Sequence, residues 1–235
     1  TIFPSENFFC LRKDDLVDFI LKEAEKRDMK VYIGLYISNL TWNDGDVKKE
    51  IEANKLFIPE VIKKYGAYKS FAGWYVPHEV ATNVYNIGRL TKSLAAMCKD
   101  KTPDKKVLLS PFFKEKTTDH KIFTPEQFYD EWDGIFGEFQ GDVDICAYQD
   151  GSASLKQVEE YFKAAKKLCD KHKISLWQNV ETFERDVRFL YFPIPFELLQ
   201  TKLDLLAPYV EKRITFEFSH FFKSAVDFPV CAESQ

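Results

Sequence analysis

The sequence predicts a (β/α) barrel, in which parallel strands alternate with helices. Apolar runs of strand length begin near residues 31, 71, 107, 143, 174 and 214, and a helical stretch follows each run except the last. Strict alternation at a period of about 30–40 residues is typical of a barrel or of a doubly wound sheet. No glycine-rich phosphate-binding turn follows the first strand, so a barrel is favoured over a nucleotide-binding sheet.

The first half of the chain supplies three helices and three strands. Apolar residues recur at the 3.6-residue period of a helix with one buried face, and Gly66 is a typical residue to end the second helix. The first strand shows no polar alternation, as expected for a parallel strand buried on both faces. The predicted helices are Leu11–Met29, Val47–Tyr65 and Asn83–Lys99, and the predicted strands are Lys30–Ser38, Phe71–Val76 and Lys106–Phe113.

The second half continues the alternation. Thr124, Pro125 and Gln127 form a helix start, with Thr124 as the N-cap and Gln127 at the capping-box position. The proline-rich stretch Phe189–Pro195 is predicted to be part of a long loop. The predicted helices are Thr124–Phe139, Ser154–His172 and Phe196–Leu206, and the predicted strands are Asp142–Gln149, Ile174–Val180 and Arg213–Phe218.

Composition excludes several classes of function. The chain has 235 residues, enough for one domain with a full core, and its net charge of −4 comes from well-mixed charges. No basic cluster faces an aromatic platform, which argues against a nucleic-acid partner, and no apolar run is long enough to span a bilayer. The five cysteines lack zinc-ligand spacing, so we expect no metal and no cofactor. Their odd number leaves at least one thiol free or paired outside the chain.

Two predicted strands end in residues that can transfer protons. Pro77 closes the Phe71–Val76 strand, because proline has no N–H for a ladder, and His78 and Glu79 follow it. About a hundred residues later, the Ile174–Val180 strand delivers Asn179 and Glu181 to its end. Because α/β barrels keep their chemistry at the carboxyl ends of strands, we expect both glutamates at one mouth. The alternative for each is a helix N-terminal carboxylate or an ion-pair partner.

Several of these motifs resemble a known family. Phe71–Glu79 contains G-W-Y-x-P-x-E, Tyr148–Gly151 contains Q-D-G, and Asn179–Phe183 is N-x-E-x-F. With Leu109–Phe112 and Phe216–His220, this set resembles the glycoside-hydrolase-like TIM barrels of uncharacterised function, over most of the chain and in the same order.

The resemblance implies that the six strands correspond to strands three to eight of an eight-stranded barrel. It also implies, by similarity to the retaining (β/α)8 glycosidases, that Glu79 is the acid/base and Glu181 the nucleophile. That clan usually places Asn before its acid/base, where this chain has His78. The first two strands have no counterpart here. We therefore expect residues 1–235 to be a single, N-terminally incomplete barrel domain that lacks a segment of roughly 60 residues.

Further residues at the strand ends are candidates for binding sugar hydroxyls or stacking on sugar faces. Asn179 lies two residues before Glu181 and so points to the same side of the strand, as a ligand for sugar hydroxyls would. Gln149 and Asp150 could also bind hydroxyls, although Asp150-Gly151 is equally a common turn pair. Strand-borne aromatic residues more often fill a core, so only the two at the end of the first strand are chosen. The substrate-binding candidates are Tyr36, Trp42, His78, Gln149, Asp150, Asn179 and His220.

Two functional hypotheses follow. The chain is either a retaining glycosidase that acts on an O-glycosidic bond, or a barrel without catalysis that serves as a carbohydrate-binding or structural extracellular protein. The acceptor sequence Asn39-Leu-Thr41 slightly favours secretion, and the sequence does not fix an oligomeric state. For the glycosidase, we expect the carboxyl groups of Glu79 and Glu181 to lie about 5–6 Å apart. We also expect a raised pKa for Glu79 and an ionised Glu181.

Overall fold

The structure is a computed structural model, and it describes residues 1–10, 13–38, 47–82, 84, 86–114, 123–139, 141–151, 153–185 and 191–216. The chain divides into two compact units. The first contains Thr1–His78, Asn83–Leu109 and Ile135–Asp144, and the second contains Glu79–Thr82, Ser110–Gly134 and Ile145–Gln235. None of the helices within the described ranges is long and apolar enough to cross a membrane.

The first unit is built on three parallel strands. Strand β1 pairs with β2 and β2 pairs with β3, in the parallel register that the alternation predicts. Trp74 and Phe71 of β2 are fully buried, and their rings meet edge to face at 5.0 Å. The elements are α1 (Leu16–Glu25), β1 (Val31–Gly34), α2 (Val47–Tyr65), β2 (Phe71–Val76), α3 (Ile87–Lys101) and β3 (Lys106–Leu109).

The second unit holds three more parallel strands and a small hairpin. Strand β5 lies between β4 and β8, and an aromatic cluster around Phe113 and Tyr148 packs beside β4, with these two rings stacked at 4.8 Å. Strands β6 and β7 pair antiparallel. The elements are α4 (Pro125–Glu138), β4 (Ile145–Gln149), α5 (Val158–His172), β5 (Ser175–Glu181), β6 (Phe183–Arg185), β7 (Tyr191–Pro193), α6 (Phe196–Leu206) and β8 (Lys212–Phe216).

Six parallel strands thus lie where the sequence predicts them, and two local signals are also confirmed. Helix α2 ends at Tyr65, directly before Gly66. The capping box forms at α4, because the Thr124 N–H donates to Gln127 Oε1 at 2.9 Å and the Gln127 N–H donates to Thr124 Oγ1 at 3.2 Å.

Several predicted boundaries are wrong. Helix α1 is shorter than the predicted Leu11–Met29, and strand β3 ends at Leu109 and not at Phe113. Strand β1 stops at Gly34 because Asn54 and Glu50 of α2 take over the backbone groups of the residues beyond it. Helix α3 begins only at Ile87, since Asn86 has the left-handed φ of 55°. Helix α5 begins at Val158, four residues after Ser154, and the predicted Phe189–Pro195 loop contains strand β7.

The outer edge of β1 borders an apolar groove. Among the described strands β1 has β2 as its sole neighbour, so its other edge has no strand beside it there. A groove of about 620 Å³ runs along this strand in the first unit. Its lining includes Ile2, Phe9 and Ile20, all of which are more than a third exposed.

Candidate active site

Glu181 is the last residue of β5, and its carboxyl group lies against the backbone of the β4–α5 turn. A Cβ atom added to Gly151 would overlap this carboxyl group, so the close approach depends on glycine at that position. The Gly151 N–H also donates a hydrogen bond to the Glu181 carboxylate. The turn that follows β4 therefore seats the carboxyl group of β5.

The groups around Glu181 shift its pKa in opposite directions. Burial raises the pKa of Glu181, and the negative charge of Asp150 raises it further. The Lys202 ammonium and the Gly151 N–H lower this pKa, and the charge of Glu79 raises it. The net pKa is above the ordinary value for glutamate. Glu79 therefore lies near enough to Glu181 for its charge to act on the Glu181 carboxyl group.

Asp150 and Lys202 form a buried ion pair next to Glu181. The two side chains are 0% and 12% exposed, and Lys202 Nζ lies 2.7 Å from Asp150 Oδ1. Asp150 also accepts hydrogen bonds from the Glu181 backbone N–H at 3.1 Å and from Gln178 Nε2 at 2.9 Å. Lys202 donates a further bond to the Glu181 carbonyl oxygen at 3.0 Å. This pair fixes the backbone that carries Glu181.

A cavity of about 340 Å³ opens beside this network in the second unit. Carboxylate, ammonium, hydroxyl and aromatic groups all reach it, which gives a mixed polar and apolar surface of the kind that small polar ligands require. The residues that give it this character are Asp150, Gly151, Ser154, Glu181, Phe183 and Lys202.

The structure brings together Glu79, Asp150 and Glu181 of the predicted set. Glu79 is exposed after β2 and Glu181 is half-buried, so the burial expected at Glu79 occurs at Glu181 instead. The raised pKa that accompanies burial is therefore found at Glu181, the predicted nucleophile. Its surroundings are set by residues from β4, the following turn and α6, which no local pattern around Glu181 reveals.

Two more candidates of the second unit, Gln149 and Asn179, donate hydrogen bonds from their side chains to Ser110. Gln149 Nε2 donates to the Ser110 carbonyl oxygen at 2.9 Å, and Asn179 Nδ2 donates to Ser110 Oγ at 3.1 Å. Both side chains are half-buried. Their amide N–H groups thus hold Ser110, the residue that directly follows β3.

Two other candidates lie in the first unit. His78 is fully buried, and its Nε2 lies 3.2 Å from Glu50 Oε2. Tyr36 is half-buried, with its ring 4.3 Å from that of Phe8. Trp42 and His220 lie outside the described residues. Within the described ranges, His, Cys, Asp and Glu side chains form no group of three or more that could hold a metal ion.

Sequence reasoning missed Lys202, Gly151 and the aromatic hairpin beyond β5. Gly151 could have been found from its place in the Q-D-G motif, because a glycine next to a strand-end carboxylate permits close packing. Lys202 gives no such signal, since a lysine on an amphipathic helix normally belongs to its solvated face.

Comparison with known proteins identifies the family. Residues 3–230 match the model of a domain of unknown function, DUF4434. No curated protein matches the sequence. A solved structure described as a "putative alpha-L-fucosidase" from Bacteroides thetaiotaomicron is 36% identical, with a TM-score of 0.87, and the match covers 94% of this chain and 73% of that chain.

More distant structures share the fold. An endo-1,4-beta-D-mannanase from Thermotoga petrophila has a TM-score of 0.60 at 12% identity, covering 93% of this chain and 76% of its own. An intracellular xylanase from Thermoanaerobacterium saccharolyticum has a TM-score of 0.56 at 13% identity, covering 91% and 72%. These similarities confirm the predicted class, a glycosidase-like (β/α) barrel, of which the described residues contain six parallel strands.

Proposed function

This chain belongs to the DUF4434 family, and on that premise we propose that it is a glycoside hydrolase that cleaves an O-glycosidic bond with two carboxyl groups. The observation that carries the proposal is that the Glu181 carboxyl group lines a cavity of about 340 Å³ and lies within reach of the Glu79 charge. Glycoside hydrolysis requires one carboxyl group on each side of the scissile bond, and the two must differ in environment. One of this pair is exposed and the other half-buried.

The proposed mechanism retains the anomeric configuration. The Glu181 carboxylate attacks the anomeric carbon while Glu79 gives its proton to the departing glycosidic oxygen. Glu79 then removes a proton from water, which displaces Glu181 from the sugar and restores both groups. We expect the two carboxyl groups to be about 5–6 Å apart when substrate is bound, whereas about 9 Å would indicate inversion.

The neighbours of Glu181 have opposing roles in this mechanism. Attack requires ionised Glu181, and both the Lys202 ammonium and the Gly151 N–H stabilise that form. Burial and the Asp150 charge oppose it, so we expect the acidic limb of the rate profile to lie above the ordinary pKa of glutamate.

The test is hydrolysis of 4-nitrophenyl glycosides, with the α-L-fucoside, β-D-xyloside and β-D-mannoside included. We expect Glu181→Gln and Glu79→Gln each to lower kcat/KM by about 10²–10⁴-fold. The matched control is Glu184→Gln, which replaces an exposed carboxylate at the rim of the same cavity and leaves the activity in place. Activity that survives Glu181→Gln contradicts the mechanism. Absence of hydrolysis across a full panel of sugars favours the carbohydrate-binding alternative.

A further inference from the structure

Three aromatic rings form a continuous surface directly after Glu181. The Phe183 ring meets the Tyr191 ring edge to face at 5.1 Å and the Phe216 ring edge to face at 6.0 Å. Phe183 lies on β6, Tyr191 on β7 and Phe216 at the end of β8. These three residues are called the aromatic platform below.

The backbone holds the aromatic platform in a fixed relation to Glu181. Glu181 is the register partner of Phe216 in the β5–β8 pair. The next residue, Thr182, donates from its N–H at 3.0 Å and from its hydroxyl at 2.8 Å to the Phe216 carbonyl oxygen. The Thr182 carbonyl oxygen accepts from the Ile194 N–H at 3.0 Å, which ties β7 to the same point. The rings and the carboxyl group are therefore set by one hydrogen-bonded unit.

The outer rings of the aromatic platform are open to solvent. Tyr191 is 52% exposed and Phe216 is 53% exposed, whereas Phe183 is half-buried between them. Leaving these apolar rings in water is unfavourable, and a ligand that covers them would regain that free energy. A contiguous exposed aromatic surface next to a cavity commonly marks a binding site.

The cavity and the aromatic platform are continuous, because Phe183 contributes to both. At about 340 Å³ the cavity is at the small end of ligand pockets, which span about 300–1,000 Å³. That volume suits one sugar residue. A second residue of a carbohydrate chain would extend beyond the cavity, in contact with the rings.

We propose that the aromatic platform is a second sugar-binding subsite, so that the substrate is an oligosaccharide or polysaccharide and not a glycoside of a small alcohol. The C–H face of a pyranose ring is apolar and stacks on Tyr191 and Phe216, while the Tyr191 hydroxyl reaches the sugar's polar edge. This inference rests on the proposed function for its placement of the reacting sugar, but binding and hydrolysis can be measured separately.

The test is affinity electrophoresis of the full chain carrying Glu181→Gln, in native gels that contain xylan, galactomannan or fucoidan. We expect retardation by at least one polysaccharide. Tyr191→Ala and Phe216→Ala should each weaken this binding about threefold to tenfold, whereas Tyr191→Phe keeps most of it. The matched control is Phe19→Ala, which removes an exposed ring from α1 and should change nothing. Thermal unfolding verifies that each variant is folded.

The outcomes separate the two proposals. Absence of retardation by all three polysaccharides, or equal retardation of the parent and both ring variants, overturns the subsite even if aryl glycosides are hydrolysed. Ring-dependent retardation without hydrolysis of any glycoside by the wild-type chain supports the subsite and refutes the proposed catalysis.

Discussion

Replacing Lys202 with methionine removes the cation that faces a fully buried carboxylate. Asp150 then loses its ion-pair partner in a site with no exposed side-chain surface, and the remaining donors to its carboxyl group are the Glu181 N–H and Gln178. Removing one partner of a buried ion pair typically costs about 3–5 kcal/mol, because the other charge stays desolvated. For a chain of this size, that predicts a fall in Tm of about 6–20 °C.

The assay is thermal and urea unfolding of the single variant, the Asp150→Asn variant and their combination. The double variant buries no uncompensated charge, so we expect it to recover about 1–3 kcal/mol relative to Lys202→Met alone. The control is Lys163→Met, which removes a lysine from exposed ion pairs with Glu159 and Glu160 and should leave Tm unchanged within error. The reasoning is refuted if Lys202→Met costs less than about 1 kcal/mol, or if the double variant is no more stable than the single one.

Three further predictions follow from the same structure. Gly151→Ala should displace the Glu181 carboxyl group and abolish hydrolysis of whichever 4-nitrophenyl glycoside the wild type cleaves. The control is Gly134→Ala, in an open position on α4, which should retain activity. It should also raise the free energy of unfolding in urea by up to about 1 kcal/mol. Glu181→Gln should raise the free energy of unfolding at neutral pH by about 0.5–2 kcal/mol. Because folding raises the pKa of Glu181, the folded wild type binds a proton at this carboxyl group more tightly than the unfolded chain does. The lower stability of the wild type relative to Glu181→Gln should therefore vanish below pH 4.5, the ordinary pKa of the group. A stability difference that does not depend on pH would contradict this. For Glu50, burial opposes ionisation, but hydrogen bonds from His78 and Ser38 outweigh it and lower the pKa. The contribution of Glu50 to stability should therefore be full above pH 4.5 and be lost as the pH falls through the pKa of the folded state. The free energies of unfolding of wild type and Glu50→Gln should accordingly converge at acidic pH.

Strand and helix positions were largely predictable because they depend on local hydrophobic patterning. The capping box at Thr124 and Gln127 needs only residues three apart, and it forms as predicted. The end of β1 was not predictable, because Asn54 bonds both the N–H and the carbonyl oxygen of Tyr36 from 18 positions away. Strand β7 likewise depends on Thr182, whose carbonyl oxygen anchors Ile194.

The strand ends that carry the candidate residues were predictable from the sequence, whereas the electrostatic surroundings of Glu181 were not. Proline and strand-end rules were sufficient to single out Glu79, Asp150 and Glu181. The pKa of Glu181 depends first on its burial and on the charge of Asp150, and then on Lys202 of α6 and Gly151 of the β4–α5 turn. Tertiary packing sets all of these. A strand-end pattern identifies which side chains reach a rim, but it carries no information on how deeply each is buried.

The outer edge of β1, which has no strand beside it among the described residues, has a consequence for self-association. This edge lies along a groove lined by Ile2, Phe9 and Ile20, and an apolar groove beside a strand edge is a place where a further strand can dock by main-chain hydrogen bonds and bury its side chains. We therefore expect folded molecules of residues 1–235, studied by themselves, to self-associate as their concentration rises. A polypeptide that covers this edge would act as a solubility factor, and its benefit would grow with the protein concentration.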